Sequence, residues 1–129
     1  KISAHLGIVD ARTLLREIFQ SARSDLRRII EDVIDLGFPV NFSDPNNHFG
    51  LLHYAAAGNA KSVADLVLAI DGLNPLSKDT NGRYASDVAF EIGNSPELAA
   101  RLQRFEREYA AARKIPYKQA GLDLAPRPA

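Results

Sequence analysis

The chain repeats itself. Displaced by 34 residues, Phe19 falls on His53, Ser21-Ala22 on Ala55-Ala56, Ile29 on Val63 and Val33-Ile34 on Val67-Leu68. The same displacement then carries His53 and Ala55 onto Asp87 and Ala89. At 35 residues, Gly37 meets Gly72 and Asp44 meets Asp79. A period of about 33–35 residues signals stacked helix-turn-helix units. None of these can bury its apolar stripe alone, so neighbours share a core. About three such units are the minimum for independent stability.

The helix signals fall in pairs. Residues 1–9 carry no periodic pattern, and Asp10 is placed as the N-cap of a first helix with Leu14, Leu15, Ile18 and Phe19 on one face. Ser24 is placed as the cap of a second, in which Leu26, Ile29, Ile30, Val33 and Ile34 form an i, i+3, i+4, i+7, i+8 stripe. Gly37 can take the left-handed conformation that ends a helix, and Pro39 prevents its resumption. An alanine-rich helix is expected over about 51–58 and its companion over about 60–70, with Val63, Leu66, Val67 and Ile70 on one side. A short helix follows over about 85–92. The last helix has Ser95 as N-cap and Pro96 at its first position, and it runs to about residue 114. Its stripe reads Leu98, Leu102, Phe105 and Tyr109. The connectors at 40–50 and 74–82 are rich in Asn, Asp, Pro and Gly, which marks turns. No segment alternates over strand length. The fold class is therefore all-α.

Composition removes several functions. Sixteen basic residues balance sixteen acidic ones, so bulk charge gives no argument for nucleic acid or an anionic membrane. There is no cysteine, which excludes disulfides, thiol catalysis and thiolate metal sites and agrees with a cytoplasmic setting. No stretch reaches eighteen consecutive apolar residues, so no membrane span is expected. The sequence begins at Lys1 and has no methionine, which suggests an excised or processed segment with any targeting signal upstream.

With these residues in place the chain resembles the ankyrin repeat family. That repeat runs as an Asp-led hairpin tip with Gly, then Thr-Pro-Leu-His, paired alanines, a Gly turn, a Val-Leu-Leu helix and a closing Gly before Asn. Here Leu52-His53-Tyr54-Ala55-Ala56 fits the helix start, and Val63, Leu66, Val67 and Leu68 fit the second helix. Lys78-Asp79-Thr80-Asn81-Gly82-Arg83 fits the tip. There are departures. Gly50-Leu51 and Tyr84-Ala85 replace Thr-Pro, His48 replaces the tip Gly, and Asp87 replaces the His. The loop from Asp44 to His53 is also one residue longer. The resemblance covers about residues 11–110. It implies a solenoid of about three stacked helix-turn-helix repeats with short β-hairpin-like loops and a long C-terminal helix. The boundaries would be a repeat domain over 1–115 (units 10–43, 44–78 and 79–114) and a Pro-containing tail over 116–129. The tail either folds back through Tyr117, Leu122 and Leu124 or trails as a linker. End units of such arrays carry polar outer faces, and Arg101, Arg104 and Arg107 interleaved with Glu106 and Glu108 suit that role.

The resemblance gives His53 a structural task, bracing neighbouring loops through hydrogen bonds, and makes Gly37, Gly72 and Gly82 turn residues. A zinc site would need three or four ligands. Asp44, His48 and His53 match no such spacing, so no metal and no cofactor is expected. Nothing supplies a strained nucleophile turn, an oxyanion hole or a phosphate loop, so no enzyme is expected either. Glu97 with Arg101 and Arg104 with Glu108 have i,i+4 spacing, which reads the arginine-rich helices as a solvated mixed-charge face. The expected function is a non-catalytic protein–protein interaction module whose partner the sequence does not identify. By position in the repeat, its contact residues are Asn46, Asn47, Phe49 and Ala57 in the middle unit and Thr80, Asn81, Arg83, Glu91 and Ile92 in the last. Phe49 is either an exposed aromatic anchor or a residue tucked against the next repeat, whereas Tyr54 packs between helices. One alternative is a regulatory or scaffold segment of a larger multidomain enzyme or effector. A second is nucleic-acid binding through the Arg-rich helices.

Overall fold

Nothing between residues 2 and 23 breaks a helix. The structure, a computed structural model describing residues 2–117 with side chains from Arg12 onward, carries α1 (Ile2–Arg23) through all of it. Asp10 is thus inside the helix and not at its N-cap. An interior Asp costs at most about 0.7 kcal/mol relative to Ala, too little to stop a run without proline. Five more helices follow: α2 (Arg27–Asp35), α3 (Leu51–Ala57), α4 (Lys61–Leu68), α5 (Ala85–Glu91) and α6 (Pro96–Arg113). Among the described residues the β structure is one isolated antiparallel bridge between Ser43 and Gly50. The fold is all-α.

Helices pair in chain order, α1 with α2, α3 with α4 and α5 with α6, and α3 lies between α1 and α5. Each pair turns through one left-handed residue, Asp25 (φ 62°), Asn59 (φ 53°) and Asn94 (φ 51°). Asn and Asp tolerate this region better than other side chains. The central helix is packed through its small residues. Ala55 and Ala56 are fully buried, and two glycines let backbones meet. A Cβ on Gly58 would stand 1.9 Å from the carbonyl oxygen of Arg23, and one on Gly93 2.3 Å from that of Ala56.

Ser24 does not cap α2. Its hydroxyl lies 3.2 Å from the Gln20 amide nitrogen, and Leu26 occupies the N-cap without a side-chain bond. The neighbouring carboxylate acts at longer range, Asp25 Oδ1 accepting from the Val63 N–H of α4 at 2.9 Å. At α6, Ser95 Oγ does accept from Leu98 N–H at 3.2 Å, with Pro96 as first helical residue.

Two apolar stripes differ from expectation. In α2, Ile30 is buried, but Leu26 and Ile29 are nearly half exposed. Their equivalents Ala60 and Val63 are sealed, because α2 covers α4, whereas no described element covers α2 on its other side. The first pair therefore presents Leu26 and Ile29 outward among its charged side chains. In α6 the buried positions are Leu98, Leu102, Glu106 and Ala110, four residues apart, while Phe105 and Tyr109 are more exposed. Glu106, expected on the solvated face, is 0% exposed.

Candidate functional site

Two hairpin tips and one helix end are joined by a continuous set of hydrogen bonds. In the first tip, Asp44 N–H donates to Phe49 O (2.8 Å) and His48 N–H to Asp44 O (2.7 Å). The Asp44 carboxylate accepts from Asn46 N–H (2.9 Å) and from the Tyr54 hydroxyl (2.8 Å). Asn47 Oδ1 accepts from Phe49 N–H at 2.9 Å, and its amide donates to Tyr54 at 3.2 Å. The second tip is one residue shorter, with Asp79 N–H donating to Arg83 O at 3.0 Å. His48 (φ 62°) and Gly82 (φ 75°) hold the same left-handed corner in the two tips. The extra residue of the first loop is thus absorbed before that corner.

Asp79 organises the second tip. Its carboxylate accepts from the N–H groups of Asn81 (2.9 Å) and Arg83 (2.8 Å) and from Arg83 Nε (2.8 Å). Burial pushes the Asp79 carboxyl up, but the Arg83 backbone and guanidinium bonds outweigh it and hold it below the usual carboxylate range. Arg83 then reaches Glu91 Oε1 at 3.3 Å, linking the tip to the end of α5. Thr80 N–H donates to Asn47 O at 3.0 Å, which ties the two tips together.

His53 locks the same region from below. Its Nδ1 accepts from Gly50 N–H at 3.2 Å and its Nε2–H donates to Arg83 O at 3.0 Å. The ring therefore spans from the start of α3 to the next tip. Burial lowers its pKa below the usual value, so the neutral form that makes both bonds is favoured. At the equivalent place Asp87 accepts from Tyr84 N–H at 3.0 Å. Phe19, at the first equivalent, packs instead, with its ring 4.7 Å from that of Tyr54 and 6.4 Å from that of Phe42.

The expected contact residues divide accordingly. Asn46, Thr80, Asn81, Glu91 and Ile92 are exposed, and Asn47 and Arg83 are half-buried within the bonds just described. Phe49 and Ala57 are each only 8% exposed. Phe49 packs its ring edge-on to Tyr54 (5.0 Å) and beside His53 (5.3 Å), so an exposed aromatic anchor is absent there. The structure brings Asn46, Thr80, Asn81, Arg83 and Glu91 into one patch.

Other features were legible only in part. Phe90 is 62% exposed. It stands where Ala56 stands one unit earlier, so its failure to repeat was the available signal. The charges of α6 pair across to α4 and not along the helix: Lys61 with Glu97 at 3.6 Å, and Arg101 with Asp65. An open depression of about 440 Å³ lies between these helices, lined by Leu68, Phe105 and charged side chains. Among the described residues, no group of three or more His, Asp or Glu is arranged to hold a metal ion, and no helix is long and apolar enough to cross a membrane. The expected tail beyond Tyr117, including Leu122 and Leu124, lies outside the described residues.

No family model matches the chain. Over 100 residues, 78% of its length, it is 33% identical to the human ARF GTPase-activating protein GIT1, and equally to the mouse and rat proteins of that name. The chain spans only 13% of the length of these curated relatives, so the likeness is to one stretch of a larger protein.

Proposed function

We propose that the chain is a segment of about three ankyrin-like repeats, units 10–43, 44–78 and 79–114, that binds a protein partner and performs no catalysis. The contact surface is the patch of Asn46, Thr80, Asn81, Arg83 and Glu91. One observation carries the reading: the bond from Thr80 N–H to Asn47 O joins two loops that are each already closed by their own aspartate. Such a surface is ordered before the partner arrives, so little conformational entropy is lost on binding. The histidine that most resembles a catalytic group has both ring nitrogens engaged by backbone atoms, which favours the structural role. The likeness to 13% of a long relative supports the further reading that this is a regulatory or scaffold segment within a larger protein. GTPase activation belongs to the name of that relative, and we do not assign it to this stretch.

The test uses side chains that project without holding the loops. Asn46→Ala with Asn81→Ala, compared with Arg107→Ala on α6, is used to capture partners from lysate of the source cells, read by mass spectrometry. A protein set retained by wild type and by Arg107→Ala, and depleted about tenfold by the tip pair, is expected. Equal capture by a folded tip variant would reject the surface.

A further inference from the structure

The buried Glu106 belongs to no repeated feature. It lies on the apolar row of α6, fully enclosed, and its carboxylate accepts from Ser86 N–H (3.0 Å) and Ser86 Oγ (2.7 Å) at the start of α5. Ser86 stands where the apolar Leu52 stands one unit earlier, so this polar pair is particular to the last unit. A third donor comes from outside the helices. Lys114 takes a left-handed conformation (φ 56°) that reverses the chain after α6, and the Tyr117 hydroxyl reaches Glu106 Oε1 at 2.5 Å. The Tyr117 ring rests on Tyr84, with centroids 5.1 Å apart. Burial and the Glu106 charge both push the Tyr117 phenol far above its usual range, which keeps its proton in place as donor.

We propose that Tyr117 and Glu106 form a releasable latch that fastens the segment after α6 over the α5–α6 end of the fold. Two features make it a latch and not a piece of core. Lys114, Ile115 and Pro116 are exposed, whereas the Tyr117 side chain reaches Glu106 on α6 and the Tyr84 ring at the start of α5. When Tyr117 leaves, Glu106 keeps both donors of Ser86, and water can take the vacated position. The carboxylate is therefore not orphaned by opening, whereas breaking the Ser86 bonds would strand a buried charge. Opening uncovers the Tyr84 ring and one edge of the carboxylate, and it frees the direction in which the chain leaves α6.

The conservative variant Tyr117→Phe keeps the ring and removes the hydroxyl. Limited trypsin digestion of the full chain then reports the open population through cleavage after Lys114, with cleavage after Arg27 as an internal reference in the first helix pair. Loss of the hydrogen bond to a charged acceptor predicts cleavage after Lys114 about tenfold faster, with the reference unchanged. Hydrogen exchange of the Ile115 amide, which is bonded to Ala110 O at 2.9 Å, should accelerate likewise while the α3 amides keep their rates. Unchanged rates at Lys114 and at Ile115 would overturn the latch. So would equal acceleration at Arg27 and in α3, because Tyr117 would then be an ordinary part of the global core. Neither readout involves a partner, so the result stands apart from the binding test above.

Discussion

Replacing His53 by alanine tests the central brace. The ring is 2% exposed and joins Gly50 N–H to Arg83 O, two backbone groups 33 residues apart in sequence. Removing it leaves the Gly50 N–H without its partner and Arg83 O with only the bond from Asp79 N–H. The unpaired donor costs about 1–3 kcal/mol and the lost second bond on the carbonyl about 0.5–1.5 kcal/mol. The lost packing against Phe49 adds about 1 kcal/mol. The sum is about 3–5 kcal/mol, a large share of the roughly 5–15 kcal/mol that holds an ordinary domain folded. With a urea slope of about 1–3 kcal/mol/M the unfolding midpoint should fall by about 2 M, read by far-ultraviolet circular dichroism. The pH dependence supplies a second arm. Because burial lowers the folded pKa, the unfolded chain takes up its proton first, near pH 6.5. His53 therefore contributes its stability above about pH 6.5, and that contribution is lost as pH falls from there through the folded pKa. Its proton would also have to sit on Nδ1, facing the Gly50 N–H. Wild type should lose stability across this window more steeply than His53→Ala. A variant within 1 kcal/mol of wild type at pH 7.5, with the same pH slope, would refute the bracing role.

Three further substitutions separate backbone contact, capping and strain. Gly58→Ala forces a Cβ to within 1.9 Å of the Arg23 carbonyl oxygen. It should destabilise by about 3 kcal/mol or more, since backbone atoms cannot yield as a side chain would, and a melting temperature within 2 °C of wild type would show the helices can part freely. Asp25→Ala removes the carboxylate bonded to Val63 N–H and should cost about 1–2 kcal/mol, measured by urea melts. No effect from that change would place the α4 cap elsewhere. His48→Gly relieves about 1–2 kcal/mol of left-handed strain against about 0.5–1 kcal/mol of added chain entropy. A small net stabilisation is expected, and a loss of stability would mean the His48 side chain has a folding role of its own.

Helix existence was legible because it depends on local signals. Alanines, Gly37, Gly72 and the Ser95-Pro96 start all act within a turn of their own position, and α3 to α6 begin and end close to where those residues stand. The two caps placed at Asp10 and Ser24 failed for opposite reasons. At Asp10 no breaker compelled a start, so propensity carried α1 through it. At Ser24 the useful side chain was its neighbour Asp25, whose target lies 38 residues away. Phe49 was an open choice from sequence, and the Tyr54 and His53 rings that enclose it are set by a loop one residue longer than its counterpart. Glu106 was hidden by composition: among alternating arginines and glutamates it reads as solvated charge. Its spacing of four from Leu102 and eight from Leu98 was the signal, and the Ser86 donors that make its burial tolerable come from another helix.

Repetition and the proposed binding surface draw on different residues, and that bears on where a partner could be read. Ala55 and Ala89 keep their identity because both are fully buried in the shared core, and Gly37 and Gly72 because both take a left-handed backbone (φ 105° and 88°). Asn46 and Asn81 are held differently. Each has its N–H on an aspartate carboxylate, Asp44 and Asp79, while its side chain is turned outward. The backbone job is thus done by the aspartate, and the outward residue is left under no packing constraint. The two tips can therefore change what they present without changing how they are held. Arg83 does not have that freedom, since it answers both Asp79 and Glu91 while its carbonyl accepts from His53. A partner that recognises Arg83 reads a charge fixed by the fold, and one that recognises Asn46 and Asn81 reads residues the fold does not require. Loss of binding on Asn46→Ala and Asn81→Ala without loss of stability, set against coupled loss of both on Arg83→Ala, would show that division in a single pair of measurements.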